Sequence, residues 1–323
     1  MSAVLRPDRA KTFVGVKTAT IPASTICRLS IYLRNAESGE YCLYRHGDMP
    51  LEAGDLERLR AGGIETIHLD AGDYCRYQEQ LRASLDSALQ DETQSVPERF
   101  GVLNEVVRGS LREVFRSKNV DRAVQESQKL ANHVVDMILH DDFVASELTT
   151  VLHYDYGTFT HCANVAYYSV ILAQGLTFRD RGELARIGTG ALLHDVGKVE
   201  VPDYILTKPG PLTAAEMKTM RRHPGAGLLS LRHHDELDFG QLMMVYQHHE
   251  RIDGTGYPVR VLGNEIHDWA RIVAVADVFE ALTSQRPYRR PLTPAAALDL
   301  MEETAEGLDQ EFLRCWKATI SKS

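Results

Sequence analysis

His248-His249-Glu250-Arg251-Ile252-Asp253-Gly254-Thr255-Gly256-Tyr257-Pro258 is the stretch on which the reading of this chain turns. Two adjacent imidazoles head a glycine-broken loop that runs into a proline. An adjacent His-Asp pair lies well upstream, at His194-Asp195. Paired imidazoles, a loop and a distant His-Asp pair are what a multinuclear metal hydrolase needs.

Working outward, further histidines and acids fall on apolar faces. His161, Val165 and Leu172 share one helical face with Tyr168 close to it, so His161 points toward a core; alone it reads as a satisfied core histidine. His194 and Asp195 end a helix whose apolar stripe includes Leu184, Ile187 and Ala191. A carboxylate there must be paired or metal-bound, because burying it free is costly. Asp277 is the one acid in Ile272-Val273-Ala274-Val275-Ala276-Asp277-Val278-Phe279, and it reads as a metal ligand ahead of a salt bridge or cap. His223 precedes Pro224, which biases its backbone away from helix and puts it at a helix junction. His248 and His249 end a stretch with apolar Leu242, Val245 and Tyr246. Helical neighbours diverge by about 100°. Both therefore serve one polynuclear centre only if it is enclosed on more than one side, or if they bind different ions. His233-His234, in a polar run, reads as solvated surface.

Five histidines and two aspartates fit two six-coordinate first-row ions with a shared carboxylate and solvent. Imidazole with carboxylate suits iron, manganese, zinc or nickel. Two such ions about 3.5–4 Å apart can trap and deprotonate a bridging water and clamp a phosphoryl oxygen. Lys198, three residues after Asp195, can reach a non-bridging oxygen and neutralise charge in the transition state.

Composition agrees with a globular enzyme of about two domains: 323 residues, 44% hydrophobic and 25% charged. A net charge of −9 argues against a nucleic-acid partner. Five scattered cysteines without a CxxC pair point to free thiols in a reducing cytoplasm. No apolar run approaches the roughly 18–20 residues that cross a bilayer. Residues 1–24 lack an apolar signal core and read as a flexible lead-in. Residues 25–72 read as a small α+β domain: an alternating strand from Ile26 to Arg34, a turn at Ser38-Gly39, a second strand over Glu40 to Arg45, a helix over Leu51 to Arg60 stopped by Gly62-Gly63, and a further strand over Ile64 to Leu69. It serves as a signal-input or dimerisation module, or as a structural cap. Residues 73–148 read as a helical connector, with Leu81, Leu85 and Leu89 on one face and Pro97 interrupting the run. Residues 149–323 read as the all-α catalytic domain, in which Thr213-x-x-Glu216 is a capping box.

The span from Thr158 to Leu308 resembles the HD-GYP phosphodiesterases, a bacterial branch of the HD metal-hydrolase superfamily. The resemblance runs through His194-Asp195-Val196-Gly197-Lys198, His223-Pro224, the loop quoted first, Ala276-Asp277 and Arg286-Pro287-Tyr288-Arg289. It implies hydrolysis of cyclic di-GMP to linear pGpG and on to GMP. It assigns His161, His194, Asp195 and Asp277 to one ion and His223, His248 and His249 to a second, with Asp195 bridging and iron or manganese as the expected metals. It makes the loop bearing Asp253, Gly256 and Tyr257 a lip of the substrate pocket. That lip also offers a surface to signalling proteins such as diguanylate cyclases. Arg286 and Arg289, whose forks match phosphate or a guanine edge, join it as substrate contacts, or form surface salt bridges. A homodimer is a further expectation. Many members carry a glutamate one helical turn before the first histidine. Here that place is Gly157, with Asp155 close in sequence, which favours two ions over three and puts the second hydrolytic step in doubt. The rival readings are hydrolysis of another cyclic nucleotide, and a weakly catalytic cyclic-dinucleotide receptor.

Overall fold

The computed structural model describes residues 12–18, 21, 28–49, 53–140, 158–285, 290–304 and 306–321. The chain divides into two compact units, Met1–Val106 and Val107–Ser323. The first carries β1 (Phe13–Lys17), β2 (Ile31–Arg34), β3 (Tyr41–Arg45), α1 (Ala53–Ala61), β4 (Thr66–Asp70) and α2 (Ala71–Leu89). The expected hairpin is present: β2 and β3 run antiparallel, from Ile31 opposite Arg45 to Arg34 opposite Tyr41. Asn35 closes its turn, its side-chain oxygen accepting from Glu37 N at 2.8 Å and Ser38 N at 3.0 Å.

Residues 13–17 correct the reading of a flexible lead-in. They form β1, paired with β4 from Phe13 opposite Asp70 to Lys17 opposite Thr66, so the sheet order is β1-β4-β2-β3. Backbone pairing with a strand far along the chain, and burial of Val16, order a segment whose own composition is nondescript. The inward faces of β4 (Ile67, Leu69), α1 (Leu56, Leu59) and α2 (Tyr77, Leu81, Leu85) form the core of this unit.

The division between the units falls inside α3 (Val96–Ser117), within the stretch read above as a helical connector. Pro97 stands in the first turn of α3, where a missing N–H costs nothing. In the second unit every named element is helical. After α4 (Val120–His140) come α5 (Thr158–Leu176), α6 (Arg181–Leu193), a 3-10 turn (Val196–Glu200), α7 (Asp203–Leu206), α8 (Ala214–Met220), α9 (His223–Leu231), α10 (Phe239–Gln247), a second 3-10 turn (Gly263–Glu265), α11 (Asp268–Thr283), α12 (Pro294–Thr304) and α13 (Gln310–Ser321). The Thr213–Glu216 capping box starts α8 as expected. The centre of the unit is α6, which packs on α4, α5 and α10, and α11, which packs on α5 and α10. Both are apolar around most of their circumference, as buried helices are. Among the described residues no helix is long and apolar enough to cross a membrane.

Candidate metal centre

The candidate ligands come from the ends of helices aimed at one point. His194 caps the C-terminus of α6, and Asp195 follows it into the 3-10 turn that carries Lys198. His248 caps α10, and His249 follows. His161 lies in the first turns of α5 and Asp277 in the middle of α11. His223 begins α9 with helical geometry, which corrects the expectation of a non-helical backbone before Pro224: the proline falls in the first turn, where helices tolerate it. Gly197 makes the assembly possible. A Cβ there would stand 2.0 Å from His223 O and 2.6 Å from Gly227 N, so only a glycine lets the Asp195 turn lie against the start of α9.

Two donor groups result, His161 with His194 and Asp195, and His223 with His248 and His249, each with its ligand atoms within 4.8 Å of one another. Asp195 faces both. Its Oδ2 is 3.6 Å from His161 Nε2 and 3.4 Å from His194 Nε2. Its Oδ1 is 3.2 Å from His223 Nε2 and 3.8 Å from His248 Nε2. Asp277 completes the ring, with Oδ1 3.1 Å from His161 Nε2 and Oδ2 3.8 Å from His249 Nδ1.

Backbone hydrogen bonds set the tautomers. Nδ1–H donates to Ala191 O at 2.7 Å from His194, to Met220 O at 2.8 Å from His223, and to Val245 O at 3.0 Å from His248. A carbonyl only accepts, so in each neutral ring the lone pair is on Nε2 and points inward. His223 Nε2 and His248 Nε2 consequently face each other at 3.2 Å. Two opposed lone pairs repel unless a cation lies between them. His194 Nε2 and Asp195 Oδ1 are buried and make no hydrogen bond. Unsatisfied donor atoms converging in a buried pocket are what a metal ion would satisfy, and the residues present fit one.

The charges agree. Burial works to raise the Asp195 carboxyl, but the Lys198 ammonium and the His194 ring outweigh it and hold the group well below the usual carboxylate range. Asp277 is held low against burial by His161. Burial, reinforced by the neighbouring rings, keeps His248 neutral, and burial drives His249 down to about 3. His161 is the exception. Burial lowers it, yet Glu280 and Asp277 together raise it to about 9, so a metal ion arriving there at neutral pH displaces a proton.

Glu280 escaped the sequence reading. It lies one turn beyond Asp277 on α11 and is buried. His161 Nδ1–H donates to its Oε2 at 2.5 Å, and Asn164 Nδ2 and Ser284 Oγ donate to its Oε1. The i, i+3 step from Asp277 was the available signal. A carboxylate behind a ligating histidine fixes the ring and its tautomer. Glu280→Gln is therefore expected to weaken metal binding by roughly 10–100-fold, read by chelator competition; unaltered affinity would exclude this role.

The loop residues divide. Tyr257 stacks on His249, ring centroids 4.6 Å apart. Gly256 packs so tightly that a Cβ would stand 2.5 Å from Glu250 Cα and 2.6 Å from His249 O, so close approach rather than left-handed backbone demands this glycine. Asp253 is exposed, and its Oδ1 accepts from Thr255 N at 2.9 Å and Thr255 Oγ1 at 2.7 Å. The carboxylate braces its own turn. Arg286, Arg289, Asp155 and Gly157 lie outside the described residues. His233 is exposed and His234 stands 3.6 Å from Asp121, away from the ligand groups.

Comparison with known proteins follows the same lines. The family described as HD domain matches residues 148–312. The cyclic di-GMP phosphodiesterase PA4108 of Pseudomonas aeruginosa is 30% identical over 296 residues, covering 87% of this chain and 71% of that protein. The 3'3'-cGAMP-specific phosphodiesterase 3 of Vibrio cholerae is 37% identical over 163 residues, covering 50% of this chain and 35% of its own length. Among solved structures Bd1817, a HDG"Y"P protein from Bdellovibrio bacteriovorus, shares the fold with a TM-score of 0.68 at 21% identity, over 97% of this chain and 100% of that one. Kinship that spans most of the chain and reaches through the ligand-bearing helices is membership: the chain belongs to the HD domain family, in its HD-GYP branch of metal-dependent phosphodiesterases.

Proposed function

We propose that this protein hydrolyses cyclic di-GMP to linear pGpG at a two-ion centre. His161, His194, Asp195 and Asp277 hold one ion, His223, His248 and His249 the other, and Asp195 is shared. One observation carries this reading: the two carboxylate oxygens of Asp195 face different donor groups, Oδ2 toward His161 and His194, Oδ1 toward His223 and His248. Iron or manganese are the proposed metals, with zinc and nickel also compatible with the donors. When bound, such ions supply an activated water and a clamp on a phosphoryl oxygen.

Lys198 supplies the nearby positive charge. Its ammonium contacts Asp195, and its side chain keeps 22% exposure, so a ligand's non-bridging oxygen can reach it. Burial opposes that charge, but Asp195 raises the ammonium's pKa, so it stays protonated at neutral pH. Kinship with PA4108 along most of the chain supports the substrate. The first unit receives a signal or dimerises, the loop around Tyr257 offers a surface to partner proteins such as diguanylate cyclases, and the setting is the cytoplasm.

The relative from Vibrio cholerae supports a second reading, hydrolysis of a hybrid cyclic dinucleotide. The test is metal counting on anaerobically purified protein, with product identification from cyclic di-GMP and 3'3'-cGAMP side by side. Faster turnover of the hybrid would replace the substrate proposed here.

A further prediction concerns the missing glutamate. Linear pGpG carries a terminal phosphate with extra negative charge, which a third cation would help to hold. Gly157→Glu, four residues before His161, is expected to raise metal content toward three per chain and GMP relative to pGpG. Three metals in the unaltered protein would show that another residue, Asp155 first, already fills the place.

A further inference from the structure

We infer that Arg221 binds the second phosphate of the substrate, held in place for it by Tyr257. The inference rests on the proposed reading that the substrate is a cyclic dinucleotide.

Tyr257 lies flat on His249, at 4.6 Å and 27° between the rings. On the same tyrosine lies Arg221, its guanidinium carbon 5.2 Å from the ring centroid. Imidazole, phenol and guanidinium thus form a chain of contacts leading from a candidate ligand to an exposed cation. The tyrosine is anchored by backbone. Its N–H donates to His249 O at 3.1 Å, and Gly256 before it packs against His249 and Glu250. Buried Glu250 pins the loop beyond, accepting from Val259 N at 2.7 Å and Arg260 N at 3.0 Å.

Among the described residues Arg221 is not held in an ion pair, and unlike Arg222 beside it, it lies over an aromatic ring. Arg181, Arg186 and Arg271 of the same unit pair with Asp136, Asp238 and Asp309. Among the described residues Arg221 pairs with no carboxylate, and it is exposed. A guanidinium over an aromatic face keeps its N–H edge free, and that edge matches a phosphate bidentately. A cyclic dinucleotide carries two phosphodiesters on one ring. With one at the histidine-aspartate centre, the other lies outside the ligand set and needs a separate positive charge. Arg221 is such a charge, separated from His249 by the single ring of Tyr257.

The test compares Arg221→Ala, Arg221→Lys and, as a control, Arg222→Ala, an exposed neighbour with no aromatic contact. Each is loaded with metal, counted, and assayed on cyclic di-GMP and on bis(p-nitrophenyl) phosphate, which has a single phosphodiester. Cyclic di-AMP serves as a competitor on the second substrate. Arg221→Ala is expected to raise KM for cyclic di-GMP on the order of tenfold to a hundredfold, the loss of a charged hydrogen-bond pair. It should leave kcat, metal content and bis(p-nitrophenyl) phosphate hydrolysis unchanged. The inhibition constant of cyclic di-AMP should rise in proportion. Lysine should restore part of the loss, and Arg222→Ala should match the unaltered protein. Equal losses on both substrates would make Arg221 a brace for the loop and overturn the inference. A loss confined to cyclic di-GMP and absent with cyclic di-AMP would make it a reader of the base, and no loss at all would remove it from the site. If the unaltered protein cleaves only bis(p-nitrophenyl) phosphate, the substrate reading fails by itself. The competition arm then still decides Arg221, and absence of inhibition by cyclic dinucleotides would overturn it as well.

Discussion

Asp195→Ala is expected to strip the centre of both metals and reduce turnover below detection. Its two oxygens approach four ligating rings, His161 and His194 on one side and His223 and His248 on the other, whereas Asp277 approaches one ring of each group. Without it, Asp277 is left as the one ligand carboxylate beside two sets of inward lone pairs, too little anionic charge to hold two dications. The variant also removes the partner of Lys198, and breaking a buried pair costs about 3–5 kcal/mol. Here the cost falls toward the lower end, because the lysine side chain is partly exposed and can turn to water. A lower melting temperature with an intact helical circular-dichroism spectrum is therefore the expected companion result. Asp195→Asn separates shape from charge. It preserves the packing but halves the oxygen donors, and it should lose metal with a smaller drop in stability. Elemental analysis reads both variants, and metal content equal to that of the unaltered protein would sink the bridging assignment.

Lys198→Ala is expected to do the opposite: metal content holds and the rate falls. A protonated ammonium cannot coordinate, and Asp195 keeps this one protonated. Removing a single donor aimed at developing negative charge costs about 2.7–4 kcal/mol in barrier stabilisation, or roughly 10²–10³ in kcat. Single-turnover rates beside elemental analysis check it. Unchanged turnover would rule the role out. Loss of metal would instead make Lys198 a residue that orders the Asp195 turn.

Much of this site was open to a reading of residues one after another. His194-Asp195 at the end of an apolar helix and Asp277 inside another were conspicuous, because a lone polar group in an apolar run has few cheap explanations. The Thr213–Glu216 box and the β2–β3 hairpin were equally visible, since caps and tight turns are made by residues within a few positions of one another. Glu280 was not visible. An acid after Phe279 looks like the wet side of a helix until α5 covers that face and His161 meets it. Nor was β1, whose partner β4 lies far along the chain. The bond from Asp253 to Thr255 in its own turn was local, but the loop's glycines and family resemblance drew the reading elsewhere.

By itself the sequence determined which side chains have the chemistry to bind metal and which helices must be buried, because period, charge and turn residues act over a few positions. It also limited His248 and His249 to an enclosed centre or to separate ions. Tertiary structure alone placed both in one donor group with His223. It brought the ends of α6, α9 and α10 together, with Gly197 permitting the closest approach, and set Asp195 between two donor groups. Those decisions depend on packing among segments from His161 to Asp277. Backbone carbonyls and buried partners far apart in the chain fix each ring's tautomer and aim, and no local pattern records that.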